Sequence, residues 1–482
     1  MDTVRFPEPD PVFLKKPSPR KYLRYLLFFG PGAVLASMTI GQGQLILGPQ
    51  IGAWAGFTLL WLITLNLGSY IIAYIGCRFT MLSGISTMDV FSQKTRHGWL
   101  NWLFIGIILI FIPLFTAAII TTLGEAIHWI VGFGHYLFWG ILFCIFAGVL
   151  VLVGRYRLVE HTQAFFVAVL GIGAVLSVAV LKLDVLEILP NFFFIGHVPS
   201  FPSWVEIHFP SVAETPVPLL MLGYLGTLTI SLVPIVGYLG WIKVKKWGIF
   251  KDCDNPEAFS SKLFSRFQKE GRISYLPRTK DEIKKSRLLL KPLLIDLAIA
   301  FFIVSVVSAA YMIAGASLLG PQVDGSFKLP SDVNLLREQA IIFSHVASWL
   351  HPVYQISVVF ALFGTAYAGF EAVSRMLYES SKNISKKIKG IPYRKFLFSI
   401  FLYILVTGVP LAILGALGVS IILMLSLTLL FIGVVGVLIY GIGVLYLSQT
   451  LLPQSYRLGK GLLFLVGISL AFLSLPFIFL FM

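Results

Sequence analysis

The sequence predicts an all-α integral membrane protein of eleven transmembrane helices, built as two inverted five-helix repeats plus one extra helix, with helices 1 and 6 broken at the midplane. Composition is the first observation behind this. Of 482 residues, 57% are hydrophobic and 12% charged, where soluble proteins carry about 25% charged residues, and the mean hydropathy is +0.88. Apolar stretches at or above the roughly 20 residues needed to span a bilayer recur along the chain. The second observation is the placement of the basic residues, and the third is a pair of helix-weakening segments in the first and sixth spans. Together they exclude a soluble enzyme, a nucleic-acid-binding protein and a disulfide-rich secreted domain, although the net charge is +15.

Hydropathy places the spans near 25–50, 55–79, 98–123, 136–154, 158–182, 217–245, 292–317, 353–377, 396–416, 419–449 and 461–481. The cut between the ninth and tenth rests on the glycines at 415 and 418. With the N-terminus cytoplasmic, 34 of the 37 Lys and Arg fall on inside segments and only Lys182, Lys328 and Arg337 outside. The positive-inside rule requires that asymmetry, and an error of one span would invert every later loop. The expected protein is therefore a multi-pass protein of the cytoplasmic membrane, with its C-terminus outside.

Residues 1–24 hold five prolines, six basic residues and no apolar core, so they read as a cytoplasmic arm and not as a cleavable signal. The first repeat is 25–182, followed by an outer loop at 183–216. Helix 6 (217–245) opens the second repeat, which continues at 292–449 after a basic inside loop, and 450–482 carries helix 11. The outer segments 183–216 and 318–352 are aromatic-rich and should fold as short helices or arms over the outer vestibule. The inside loop, 246–291, has twelve basic and six acidic residues. Within it Asn255 can cap a helix that Pro256 opens and Gly271 ends. Phe259, Leu263, Phe264 and Phe267 share one face, which suggests an amphipathic helix on the membrane surface, with the basic loops at anionic lipid. Cys77, Cys144 and Cys253 lie far apart and match no metal or redox spacing. Six of the eight histidines fall on the outer side with irregular spacing, which favours ordinary hydrogen bonding over metal capture.

The first span carries Gly41, Gln42, Gly43 and Gln44 at mid-membrane. Each glycine weakens a helix by about 1 kcal/mol, and glutamines at that depth should face protein or water. In the sixth span Val233, Pro234, Ile235 and Gly237 sit at comparable depth, and a proline there removes a helical hydrogen bond. These segments lead two five-span halves, which the odd span count inverts relative to one another. Broken leading helices of inverted repeats point to a transporter substrate site at the midplane. The candidate substrate-binding residues are therefore Gly41, Gln42, Gly43, Gln44, Val233, Pro234, Ile235 and Gly237. Glu371 and Arg375, four apart near the inner end of the eighth span, are a candidate inner gate or a plain helix-stabilising pair. Asn66 and Pro113 read as packing and kink features.

Gly30-Pro31-Gly32, the break that follows and the run from Gly52 to Trp61 resemble the first two spans of the Nramp divalent-metal transporters, with fainter likeness at 124–134, 233–235 and 360–369. The resemblance implies the LeuT-type fold. It also shows departures. Nramp transporters carry Asp-Pro-Gly-Asn in the first break, where the Asp and Asn bind metal, and the same positions here are Gly41, Gln42, Gly43 and Gln44. The family's Met-Pro-His becomes Val233, Pro234 and Ile235, and its third-helix acids fall on Ala118 and Thr121.

A dehydrated divalent cation at the midplane ordinarily needs a carboxylate, and the acids of this chain sit near span ends. A neutral or zwitterionic small solute, or a weakly bound ion, suits the lining better than a tightly coordinated transition metal; Ser37, Thr39 and Ser231 add neutral donors and acceptors. The alternatives are a divalent-metal transporter using non-carboxylate ligands and a non-transporting membrane scaffold or sensor. No His-Glu-x-x-His motif, aspartate pair or P-loop is present, so the sequence suggests neither an enzyme nor a cofactor, and no resident metal.

Overall fold

The computed structural model describes residues 3–154, 156–331 and 334–481, with the side chains of 42, 156–163, 386 and 389 outside the description. Among the described residues, nine helices are long and apolar enough to cross a membrane, or ten when the bent pair Ala164–Val180 and Val185–Phe192 is one span. The first expected span is not among the nine, and it comes in three pieces. Helix α1 (Pro31–Thr39) runs into a π-turn at Ile40–Gln44, and α2 (Leu45–Ala55) continues to Gly56, whose φ of +61° ends the helix. The span begins at 31 instead of 25, because Gly30 is non-helical and Pro31 takes the first helical position. A proline there forfeits no hydrogen bond. The preceding turns, Pro19–Tyr25 and Leu26–Phe28, belong to the arm.

The rest of the first half comprises α3 (Leu67–Ser83), α4 (Trp99–Val131), α5 (Tyr136–Val153) and α6 (Tyr156–Val180). Helix 6 is α7 (Val217–Leu228) plus α8 (Leu232–Val244). Beyond the basic loop at 246–291 and its α9 (Pro256–Glu270) come α10 (Lys291–Leu318), α11 (Leu350–Ser381) and α12 (Tyr393–Ala416). The tenth span is α13 (Ile421–Thr428), a second π-turn at Leu429–Val435 and α14 (Gly436–Thr450), and the chain closes with α15 (Lys460–Ser474). The turn expected at 415–418 is present, with Gly418 at φ +109°.

Helices approach closely where small residues line the seam, as membrane packing requires. A Cβ on Gly52 would lie 2.1 Å from the Met312 carbonyl oxygen, and one on Gly315 would lie 2.4 Å from that of Pro49. These two glycines bring α2 against α10. At the end of the bundle opposite α9 the two long loops, 183–216 and 318–352, interlock. Trp204 stacks on Phe327 at 5.5 Å, Trp54 packs on Phe201 at 4.8 Å, and Phe327 sits in the two-residue strand pair Gly320–Pro321 and Phe327–Lys328.

Helix α9 forms as its caps predict: the Ala258 amide donates to Asn255 Oδ1 at 3.0 Å, and Gly271 ends it at φ +68°. Its apolar face, however, does not lie on lipid. Leu263, Phe264 and Phe267 are buried, Leu263 closes on Gly84 at the end of α3, and the Lys94 ammonium lies 5.5 Å from the centre of the Phe267 ring. The protein's own basic face supplies the apolar surface that the helix covers. Beside it, Lys243 of α8 pairs with Glu257 at 2.9 Å, and Lys382 pairs with Glu379 at 2.7 Å and reaches Asp89 at 3.7 Å. Burial pushes the Asp89 carboxyl above the usual aspartate range, and Lys382 pulls it partly back.

Candidate functional site

Helix 6 is interrupted at Thr229 and Ile230, between α7 and α8, with Ser231 at the N-cap of α8. Two polar groups at the interruption meet other helices. The Ile230 amide donates to Ser69 Oγ of α3 at 3.1 Å, and that oxygen lies 2.9 Å from Asn66 Oδ1. The Thr229 hydroxyl reaches the Gly433 carbonyl, inside the second π-turn, at 2.8 Å. An unpaired backbone group in this surrounding would cost several kcal/mol, so these contacts hold the break in place.

The break lies upstream of the segment that the sequence singles out. Val233, Pro234, Ile235 and Gly237 are α-helical and buried. Pro234 is the third residue of α8, where an amide has no intrahelical acceptor to lose. Helix 1 departs from expectation as well. Residues Gly41 to Gln44 do not unwind but widen into a π-turn, a local geometry that recurs at functional sites.

The two irregular segments touch. A Cβ on Gly43 would lie 2.0 Å from Thr227 Cβ, and one on Gly41 would lie 2.6 Å from Thr365 Oγ1 of α11. Gln44 is fully buried between α7 and α10: its Nε2 donates to Thr227 Oγ1 at 3.2 Å and its Oε1 accepts from the Tyr224 hydroxyl at 3.2 Å. Gln44 therefore joins helices 1 and 6 directly. The side chain of Gln42 lies outside the described residues. Thr39 and Ser231 are half-buried and Ser37 is buried.

Lower in the bundle, Asp296 accepts from the amides of Gly30 at 2.8 Å and Gly32 at 2.7 Å and from the Tyr238 hydroxyl. It ties the start of α1 to α8 and α10. A Cβ on Gly32 would lie 2.7 Å from the Asp296 carbonyl oxygen, so the glycine is what permits the contact. Glu371 and Arg375 pair at 2.5 Å. The Arg375 side chain lies against Gly240 of α8, 3.1 Å from where a Cβ would stand, and over the Tyr393 ring of α12 at 5.4 Å. The pair thus bridges three helices.

Among the described residues no three His, Cys, Asp or Glu converge to hold a metal ion. The residues that sequence reasoning missed are Ser69, Thr227 and Thr229, along with Asn66, which does more than pack. Asn66 Nδ2 and the Tyr70 hydroxyl are buried on the same helix without a hydrogen-bond partner among the described residues. A polar run at 64, 66, 69 and 70 in an apolar span was the available signal.

No protein-family model matches the sequence, and no curated protein matches it. Solved structures do. A point mutant of the Eremococcus coleocola manganese transporter superposes with a TM-score of 0.61 at 12% identity, over 96% of this chain and 87% of that one. MhsT in complex with L-phenylalanine gives 0.53 at 15% identity, over 93% and 97%. MHP1, a nucleobase-cation-symport-1 family transporter with bromovinylhydantoin bound, gives 0.50 at 12%, over 93% and 90%. The chain has the LeuT-type fold. The π-turn in helix 1 and the break in helix 6 are thus the irregular centre of a LeuT-type bundle, and the all-α membrane fold expected from the sequence is present, with nine or ten of the eleven expected spans among the described residues.

Proposed function

We propose that this chain is a secondary transporter, a divergent relative of the Nramp transporters, whose central site at the junction of helices 1 and 6 takes a neutral or zwitterionic small solute or a weakly held ion. The observation that carries this is the chemistry of the junction. Among the described residues its contacts are made by glycines, threonine hydroxyls, Ser69, Tyr224, Gln44 and backbone groups, with no carboxylate or thioether among them. Such groups donate and accept hydrogen bonds in equal measure but replace the water of a divalent cation poorly.

Gln44 and Thr227 would be the first contacts to yield. Interhelical hydrogen bonds in membrane bundles average about 0.6 kcal/mol, so exchanging them for bonds to a solute is nearly balanced. Gly41, Gln42, Gly43 and Gln44 would then line the opened site from helix 1, and Val233, Pro234, Ile235 and Gly237 from the first turns of α8. Glu371 and Arg375 would close the inner end across Gly240, assisted by the Asp296 clamp. The N-terminus and the basic face would be cytoplasmic. Ala118 and Thr121 carry no titrating proton, which leaves a sodium gradient or facilitated exchange as the driving term.

A second reading, transport of a divalent metal through glutamine and carbonyl ligands, is favoured by one observation: a structural neighbour is a manganese transporter. Labelling of single cysteines at 39 and 231 separates the two. The first reading expects neutral solutes to protect both from thiol reagents while Mn²⁺ does not; protection by Mn²⁺ alone would favour the second.

A further inference from the structure

We propose that the basic face carries a binding site for one anionic phospholipid, its phosphate held by Lys245, Lys246 and Lys251 and its acyl chain laid along the groove between α1, α6 and α10. A cavity of about 280 Å³ opens where α8 ends, lined by these three lysines and by Phe13, Phe28 and Trp247. That is close to the size at which small-ligand pockets begin, about 300 Å³. Lys245 and Lys246 have no ion-pair partner among the described residues. Among the described residues Lys251 donates to the Glu8 carbonyl, at 2.7 Å. Asp10, the acid in the lining, is engaged at its own helix, accepting from the Val12 amide at 2.9 Å. Three ammonium groups therefore face a part-apolar cavity whose lining holds one carboxylate, Asp10, which leaves an excess of two positive charges. Lys246 is moreover held at φ +54°, a left-handed conformation that non-glycine residues rarely adopt, and it turns the chain where consecutive lysines line one cavity.

The surroundings select a lipid over a free phosphate. Phe29, next to Phe28, begins a second cavity of about 420 Å³ whose walls are Ile40, Val167, Gly171, Phe302 and Val306. Pro292 lines the first cavity and Phe302 the second. Those ten residues of α10 rise about 15 Å at 1.5 Å each, which is half of the roughly 30 Å hydrocarbon core. Phe302 is 68% exposed and Ile172 is 60% exposed, as a bilayer-facing groove requires. The arm beside the cavity presents Leu23 and Leu27, 67% and 82% exposed, next to Arg20, Lys21 and Arg24, the pattern of a segment lying in the interface. Because Lys245 also stands 3.4 Å from the Cβ position of Gly30, an occupant would sit against the start of helix 1.

The test is native mass spectrometry of the full chain in detergent, titrated separately with phosphatidylglycerol, phosphatidylcholine and inorganic phosphate. Each lysine near a membrane surface contributes about fivefold to the affinity for anionic lipid. One phosphatidylglycerol should be retained, and the triple variant Lys245→Gln, Lys246→Gln, Lys251→Gln should bind it roughly one hundredfold more weakly. If the triple variant does not fold, Lys246→Gln and Lys251→Gln singly should each weaken it about fivefold. Equal retention of phosphatidylcholine, or unchanged affinity in the variants, would overturn the site. Inorganic phosphate binding as tightly as the lipid would assign the lysines to a free anion and overturn the lipid assignment.

Discussion

Replacing Gly43 by alanine tests the contact on which the central site is built. The new Cβ would lie 2.0 Å from Thr227 Cβ, 2.5 Å from its Cγ2 and 2.8 Å from its Oγ1. Carbon atoms pack at about 3.5–4.0 Å, so helix 1 and α7 must separate by about 1.5 Å or more. Overpacking of this kind costs about 1–3 kcal/mol. Separation also stretches the Gln44–Thr227 and Tyr224–Gln44 bonds, worth about 0.6 kcal/mol each. Alanine returns up to about 1 kcal/mol of helix propensity, which leaves a net loss of about 1–3 kcal/mol. Gly369→Ala in α11 is the control: no atom lies within 4 Å of its Cβ position, and the substitution should be neutral or stabilising by up to about 1 kcal/mol. Thermal denaturation of purified protein, followed by loss of the monodisperse species, should rank Gly369→Ala above wild type or equal to it and Gly43→Ala clearly below. Adding Thr227→Gly, which removes the clashing atoms, should recover part of the loss. A Gly43→Ala protein as stable as wild type would refute the close contact and the placement of the π-turn.

Gln44→Leu should destabilise the protein by about 1–2 kcal/mol in the same assay, since it removes two interhelical bonds and leaves the buried Tyr224 hydroxyl only the Ser308 carbonyl, at 3.5 Å; an unchanged melting profile would show that the bonds are not made. Asp296→Asn keeps the shape but replaces a carboxylate that accepts from two amides and a hydroxyl. It should cost at least about 2 kcal/mol, and a neutral effect on denaturation would remove the clamp from the account. Asp89→Asn concerns pH. Burial raises the Asp89 carboxyl, so the native state holds that proton to higher pH than the unfolded chain does, and stability falls as pH rises through this window. Wild type should therefore lose stability relative to Asp89→Asn on going from acid toward neutral pH, and a relative gain would contradict the assignment. Gly240→Val should push Arg375 from α8 at a stability cost under about 1 kcal/mol, as for a part-exposed ion pair. It should still increase thiol labelling of cysteines placed at 37 and 39 from the basic side; unchanged labelling would deny the pair a gating role.

Hydropathy located the spans because about 20 apolar residues in a row have few other uses, and the caps of α9 were legible because Asn255, Pro256 and Gly271 act on their own neighbours. The site was legible only in part. Pro234 drew attention to the right helix, but the break lies upstream of it at Thr229 and Ile230. At the third position of α8 its missing amide costs nothing, while the break at Thr229 and Ile230 is held by Ser69 and Gly433, remote in sequence. Gly41 and Gly43 marked a weak helix; whether it would unwind or widen depended on Thr227 and Thr365 pressing on it from other helices. The face of α9 was read correctly, but its partner was not, because an apolar stripe does not say whether lipid or Gly84 will cover it. Local signals were readable, and contacts across the bundle were not.

The central claim is that the junction of helices 1 and 6 passes an uncharged or zwitterionic solute and not a tightly coordinated metal. The most direct measurement is uptake into proteoliposomes of wild type and Gln44→Leu, with Mn²⁺ and a panel of radiolabelled neutral and zwitterionic solutes presented in parallel, with and without a pH gradient. The account predicts saturable uptake of at least one solute, independent of the pH gradient and impaired in Gln44→Leu, with no Mn²⁺ flux above empty vesicles. Saturable Mn²⁺ uptake driven by the pH gradient, with no solute transported, would contradict it.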